Sequence, residues 1–134
     1  MIDYTKLQKS IAHLSAQFHN WQTLDETLPP LLQEAVAESV IQRFEVCYDC
    51  TWKVLKRYLA KELGVPDMPN SPKPIFRIAH ENLVFNNVDE WLVYADLRID
   101  VAHDYSGEKA QVALRVMGQF VEAVSALYGA MNPE

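Results

Sequence analysis

Residues 31–63 read LLQEAVAESVIQRFEVCYDCTWKVLKRYLAKEL and form the longest periodic segment of the chain. Apolar side chains recur there every three or four residues, a spacing that places them on one face of an α-helix. The positions that keep this spacing are Val36, Val40, Phe44, Cys47, Thr51, Leu55 and Tyr58. Additional apolar residues broaden the face, so we expect this helix to contact two neighbours or to lie in a dimer interface. Gly64 and Pro66 mark its end, because glycine favours helix C-termini and proline cannot continue the hydrogen-bond ladder.

The segments on either side show the same helical spacing. Residues 4–27 carry a narrow apolar stripe that ends before two consecutive prolines. A third helix is predicted from residue 72 to about residue 87, and the Ser106-Gly107 pair separates a fourth helix from a fifth. The expected N-cap residues of these last three helices are Ser71, Asp89 and Ser106. No segment alternates with a period of two, so the sequence predicts one all-α domain over residues 1–134, an up-and-down bundle of four to five helices.

Composition and charge narrow the classes of function. The chain has 134 residues, a hydrophobic fraction of 49% and a formal net charge of −6. Lys and Arg contacts supply most of the non-specific affinity for nucleic acid, so an acidic chain needs a local basic pocket if it is to bind RNA. No apolar run approaches the roughly 20 residues of a transmembrane helix, and no secretory signal is visible. We therefore expect a cytoplasmic protein without membrane contact.

Two cysteines, Cys47 and Cys50, form a Cys-x-x-Cys pair inside the long helical segment. A redox pair of this kind normally follows a strand, and a zinc site needs two further ligands. The helical setting favours small residues in or near the core. We expect neither a metal site nor a cofactor.

The chemically richest stretch is Leu97-Arg98-Ile99-Asp100-Val101-Ala102-His103-Asp104-Tyr105. Arginine binds phosphate through a planar fork of donors, and histidine transfers protons near neutral pH. Five residues correspond to about 140° of rotation on an α-helix, so we expect Arg98 and His103 not to share a face. On spacing alone, Arg98 would pair with Asp96 or Asp104, and His103 would lie at a helix C-terminus, where a cation is favoured.

The long helix carries further charged residues. Glu45 and Asp49 lie four residues apart, so they share a helix face and could form a polar groove beside the Arg98 stretch, although solvated helix charges are the commoner case. The basic residues of this segment, which offer a phosphate surface or simply solvate the helix, are Lys53, Lys56, Arg57 and Lys61.

Three stretches together resemble one family. They are residues 39–59, with Arg-Phe-Glu ending at Glu45 and a Trp-Lys pair; residues 71–77, with Ser-Pro opening a helix; and the pattern Arg98-x4-His103-x-Tyr105. The chain thereby resembles the nucleotidyltransferase substrate-binding protein family, a branch of the HEPN superfamily that includes HepT-like toxins. The resemblance runs over roughly residues 1–130.

The resemblance implies a homodimeric bundle that associates with a minimal nucleotidyltransferase encoded nearby. In toxin–antitoxin members the HEPN protein is a ribonuclease, and the nucleotidyltransferase silences it by placing AMP on the tyrosine. Carried over by position, Arg98 and His103 would be the catalytic pair, shared across the dimer axis, and RNA the substrate. Tyr105 would accept AMP, with Glu45 and Asp104 as further modification or binding residues.

One position departs from the family pattern. Members usually have a polar residue, often asparagine, directly after the arginine, whereas this chain has Ile99. The departure favours a partner subunit that docks a nucleotidyltransferase over a metal-independent ribonuclease. A helical scaffold with a vestigial Arg-x4-His-x-Tyr pattern is the third reading.

Overall fold

The computed structural model describes residues 1–104 and 107–133, and these form five α-helices and no strand. In chain order the helices are α1 (Thr5–Gln22), α2 (Pro30–Lys61), α3 (Pro72–Glu81), α4 (Val88–His103) and α5 (Glu108–Met131). The predicted all-α bundle is therefore confirmed, with five helices. None of the described helices is both long and apolar enough to cross a bilayer.

Helix α2 is the centre of the bundle, because it packs against α1, α3, α4 and α5. Its broad apolar face explains these contacts, although the spacing predicted two neighbours or a dimer interface rather than four neighbouring helices. An aromatic cluster fills the core between α2, α3, α4 and α5; its fully or almost fully buried members are Phe44, Phe76, Trp91, Tyr94 and Phe120. The Phe120 ring centroid lies 4.9 Å from that of Phe44 and 5.0 Å from that of Tyr94, both in edge-to-face geometry.

Two helices end earlier than the spacing predicts. Helix α1 stops at Gln22 rather than near residue 27, because the Asp25 carboxylate accepts hydrogen bonds from both the backbone N–H and the hydroxyl of Thr27 and holds a turn. Helix α3 stops at Glu81 rather than near residue 87. There Leu83 adopts a left-handed backbone conformation (φ 62°), which ends a helix as a glycine commonly does.

The caps also differ from those expected. The side chain of Asn87, not Asp89, caps α4 by accepting a hydrogen bond from the backbone N–H of Glu90 (3.2 Å), and Asp89 lies in the first turn. Ser71 occupies the N-cap position of α3 in extended geometry but makes no capping hydrogen bond. The cap predicted at Ser106 lies outside the described residues. Helix starts are thus set by side-chain geometry that residue type alone does not determine.

Candidate functional site

Arg98, near the C-terminal end of α4, is bound by two carboxylates of α2. Its Nε and Nη2 atoms donate to the two oxygens of Asp49 (3.3 and 3.1 Å), and Nη1 donates to Glu45 Oε2 (2.8 Å). The two acids lie one turn apart and so face α4 together. Hydrogen bonding to Asp49 is the main cause that raises the pKa of Arg98, and burial opposes it. The guanidinium is therefore permanently charged and held by two ion pairs.

This arrangement corrects two expectations. Arg98 does not pair with Asp96 or Asp104, because Asp96 binds Lys73 (2.7 Å) and the Asp104 side chain points to the start of α5. The two acids of α2 are not merely solvated helix charges either. Both bind Arg98, and the Glu45 side chain is only 17% exposed. On sequence alone, a polar groove of Glu45 and Asp49 beside the Arg98 stretch is the less common alternative. The structure contains this arrangement.

His103 is the last residue of α4 and is exposed to solvent. Its Nδ1 atom lies 2.9 Å from the backbone carbonyl oxygen of Ile99. A carbonyl oxygen only accepts hydrogen bonds, so the neutral imidazole in this geometry carries its proton on Nδ1. The Nε2 atom is then the acceptor of the ring, which is the atom that a general base uses.

A groove of about 670 Å³ runs between α2, α3 and α4 beside these residues. Apolar side chains form much of its wall. The residues that matter for its chemistry are Tyr48, Trp52, Pro72, Arg98, Ile99 and His103. Ile99 is 55% exposed and faces this groove. Burial raises the pKa of Tyr48, so its hydroxyl remains neutral at the back of the groove.

Arg98 and His103 line the same groove, although their separation on the helix predicted otherwise. Ala102 and Ile99 occupy the arc between them, about 40° and 100° from Arg98, and all four residues border the cavity. Helix α4 remains helical through His103, so no unwinding is required. No hydrogen bond joins Arg98 to His103 within the described part of the chain. The groove is wide enough for both side chains to line it. The five-residue spacing of Arg98 and His103 does not indicate this width.

Asp104 has a structural role at the start of α5. Its Oδ1 accepts from the backbone N–H of Gly107 (3.0 Å), and its Oδ2 accepts from that of Lys109 (3.2 Å). These bonds satisfy two N–H groups that a helix N-terminus leaves without partners. A Cβ at residue 107 would come too close to this carboxylate, which explains the glycine there. Tyr105 lies outside the described residues, so its predicted role remains a prediction.

Sequence reasoning offered Asp49 only as part of a possible polar groove with Glu45, without its contact to Arg98, and did not single out Trp52 as a site residue. The signal for Asp49 was the four-residue spacing to Glu45, but nothing in the sequence indicates that α4 crosses α2 at this turn. Cys47 is buried and Cys50 half-buried, so both lie in or near the core, as the helical setting predicted. Within residues 1–104 and 107–133, no three His, Cys, Asp or Glu side chains gather as metal ligands would.

The fold and the groove define a small five-helix bundle with an arginine–carboxylate cluster beside a concave groove. The chain belongs to the family described as nucleotidyltransferase substrate binding protein like, whose profile matches residues 2–133. The chain is 25% identical over 120 residues to a probable ribonuclease HepT of Haemophilus influenzae, covering 88% of this chain and 79% of the relative.

Two solved structures share the fold. A Haemophilus influenzae protein described as having the fold of a substrate-binding domain of a nucleotidyltransferase superposes with a TM-score of 0.87 at 22% identity, over 96% of this chain and 98% of that one. A Thermus thermophilus protein superposes with a TM-score of 0.78 at 23% identity, over 94% of this chain and 98% of that one. The bundle architecture is therefore shared across distant sequences.

Proposed function

We propose that this protein is the partner subunit of a nucleotidyltransferase and that the enzyme docks in the groove between α2, α3 and α4. Membership of the nucleotidyltransferase substrate binding protein-like family supports the kind of partner. The groove supports the place, because it is a concave surface that combines exposed apolar side chains with fixed charges. No nucleotide transfer by the chain itself is part of this proposal.

The double ion pair of Arg98 is the observation that favours a protein partner over a nucleic acid. Both Glu45 and Asp49 bind the guanidinium, so the cluster has one more negative charge than positive. A phosphodiester entering the groove would have to displace these carboxylates and would be repelled by them. An apolar segment of a folded partner would instead cover Ile99 and leave the ion pairs intact.

Tyr105 is the proposed acceptor of AMP, two residues beyond His103 in the sequence. In such a transfer the phenol oxygen attacks the α-phosphorus of ATP and forms a new O–P bond. The bond from that phosphorus to the bridging oxygen breaks, pyrophosphate leaves, and the phenolic proton passes to a base of the partner enzyme. A partner docked over the end of α4 would reach this part of the chain.

Co-expression with a minimal nucleotidyltransferase, which the family resemblance predicts to be encoded nearby, tests the proposal. We expect the two chains to co-purify and, after incubation with ATP, the intact mass of this chain to increase by one AMP unit. Tyr105→Phe should abolish the mass increase and retain the complex. Tyr58→Phe, which removes the hydroxyl of a half-buried tyrosine on α2 away from the groove, is the matched control and should be modified like the wild type. Failure to form any complex would refute the docking role.

A ribonuclease is the second candidate, and the observation that favours it is the 2.9 Å contact between His103 Nδ1 and the Ile99 carbonyl oxygen, which leaves Nε2 as the acceptor of a neutral ring. Nε2 of His103 would take the proton of a ribose 2′-hydroxyl, whose oxygen attacks the phosphorus as the 5′-oxygen leaves. The departing oxygen would receive its proton from His103 of a second copy in a homodimer. The Arg98 guanidinium would stabilise the phosphorane charge only after release from Asp49. This function predicts growth arrest on expression without the partner and relief by His103→Ala, whereas harmless expression of folded wild type would exclude it.

A further inference from the structure

A second cavity, of about 580 Å³, lies between the start of α1 and the middle of α2. It is separate from the groove that the proposed function uses, although Asp49 borders both cavities. Three cations of two helices line it: Lys6 of α1 with Lys53 and Arg57 of α2. Asp3 and Asp49 also line it, so the pocket has one more positive charge than negative in a chain with a net charge of −6. This is the local basic pocket that an acidic protein requires for binding phosphate.

None of these three cations forms an ion pair within residues 1–104 and 107–133; the ion pairs found there use Lys73, Arg98 and Lys109. The Lys53 ammonium lies 5.8 Å from the ring centroid of Trp52, a contact that leaves its hydrogen-bond donors available. The side chains of Lys6, Lys53 and Arg57 are exposed. Their donors are therefore accessible to solvent and to a ligand that enters the pocket.

The two acids that border the pocket have partners elsewhere. Asp3 accepts the backbone N–H of Thr5 through Oδ1 (2.9 Å) at the start of α1, and Asp49 is bound by Arg98. The pKa of Asp3 is lowered mainly by its hydrogen bonds to Thr5 and, to a smaller degree, by the nearby charges of Arg57 and Lys6. Neither acid forms a salt bridge with the three cations in the described part of the chain. An anion that enters the pocket competes with no existing salt bridge to the three cations.

The floor of the pocket is apolar. Val46 is 51% exposed, and Cys50 and Val54 complete the surface beneath the cations. Such a floor suits the flat face of a nucleobase or a ribose, while the cations above suit phosphate groups. The volume matches one small ligand, whereas a nucleic acid strand follows an extended groove with aromatic stacking positions. The aromatic side chain nearest in sequence, Trp52, faces the other groove.

We propose that this pocket binds a nucleoside triphosphate through Lys6, Lys53 and Arg57. The binding is a property of this chain alone and requires neither docking of a nucleotidyltransferase nor chemistry at His103. A nucleotide in this pocket would be separated from the docking groove by α2, whose Asp49 borders both cavities.

Isothermal titration of the purified chain tests this site with four probes: ATP, inorganic tripolyphosphate, adenosine and a short single-stranded RNA. We expect ATP to bind saturably, tripolyphosphate to bind more weakly, and adenosine not to bind. Added salt should weaken ATP binding, because the contacts are charged and exposed. Adenosine binding as tightly as ATP would contradict the role of the cations. RNA binding more tightly than ATP would assign the surface to nucleic acid and overturn the proposal.

A pair of double variants locates the site. Lys53→Gln with Arg57→Gln should weaken ATP binding by about tenfold or more, since each cation contributes a charge-assisted contact to phosphate. Lys56→Gln with Lys61→Gln removes the same charge from the same helix outside the pocket and should change affinity by less than about twofold. Equal losses of ATP affinity in the two double variants would show that only the overall charge of the chain matters, and would refute the site. Partner binding should survive in both, which separates this test from that of the docking groove.

Discussion

Arg98 and Asp49 form a bidentate ion pair across 49 residues of sequence, with Nε and Nη2 each donating to a different carboxylate oxygen. A planar fork of this kind fixes both the distance and the orientation of the two helices that carry it. Glu45, one turn earlier on α2, adds a third hydrogen bond. The cluster therefore sets the crossing of α4 over α2 and, with it, the shape of the groove.

Removing the arginine should destabilise the fold. In Arg98→Met the carboxylates of Glu45 and Asp49 lose the guanidinium between them and repel each other. We expect the free energy of unfolding to fall by about 2 kcal/mol, a value between those typical of exposed and of buried ion pairs. Urea unfolding monitored by circular dichroism measures this loss. Adding Glu45→Gln and Asp49→Asn to the same variant should restore much of it.

The exposed pair of Lys73 and Asp96 provides the control for that prediction. Its side chains retain 39% and 62% exposure, so Lys73→Met should cost less than about 0.5 kcal/mol. Equal losses from Arg98→Met and Lys73→Met would show that the arginine cluster does not hold α4 against α2.

The two thiols should differ in reactivity. Cys47 is fully buried, and burial raises its pKa to about 11, whereas Cys50 is half-buried at the edge of the basic pocket. N-ethylmaleimide at neutral pH should therefore add once to the native chain and twice in urea, as intact mass shows. Cys50→Ser should leave the native chain unmodified; a native adduct on that variant would contradict the burial of Cys47.

The same thiol gives stability a dependence on alkaline pH. The folded state holds the Cys47 proton more tightly than the unfolded chain, whose thiol has a pKa near 9.0. The contribution of the Cys47 thiol to stability is therefore complete below pH 9 and is lost as the pH rises through about 11. The free energy of unfolding should fall over this interval, and less steeply in Cys47→Ala. Identical slopes for the two proteins would exclude Cys47 as a cause.

Asp104 should act as the cap of α5. Asp104→Ala removes the acceptors of the Gly107 and Lys109 N–H groups and should cost about 1 kcal/mol of unfolding free energy. Asp100→Ala, at an acid whose nearest cation is 3.9 Å away, is the matched control and should cost less than about 0.5 kcal/mol. A loss at Asp104 no greater than at Asp100 would contradict the capping role.

Much of the fold followed from local sequence. The apolar spacing of α2 and the Gly64 terminator are local signals, and Gly64 has a positive φ of 68° three residues after α2 ends at Lys61. The early ends of α1 and α3 were missed because they depend on particular backbone conformations, the Asp25 turn and the left-handed Leu83. Neither residue type requires such a conformation.

The candidate site was predictable in its residues but not in its contacts. Arg98, His103 and Glu45 were identified from residue type and family resemblance, and all three lie at or beside one groove. The partner of Arg98 was assigned wrongly because helical spacing describes neighbours on one helix only. Asp49 comes from another helix, and its approach depends on how α4 crosses α2, which is a tertiary property.

The most direct test of the docking groove is the affinity of two matched variants for the proposed nucleotidyltransferase partner. Ile99→Glu places a charge in the groove, whereas Val93→Glu places the same charge on α4 outside it, at 49% exposure against 55% for Ile99. We expect Ile99→Glu to weaken binding in isothermal titration by about tenfold or more, and Val93→Glu to bind like the wild type. Wild-type affinity in Ile99→Glu, with the fold intact by circular dichroism, would contradict docking in this groove.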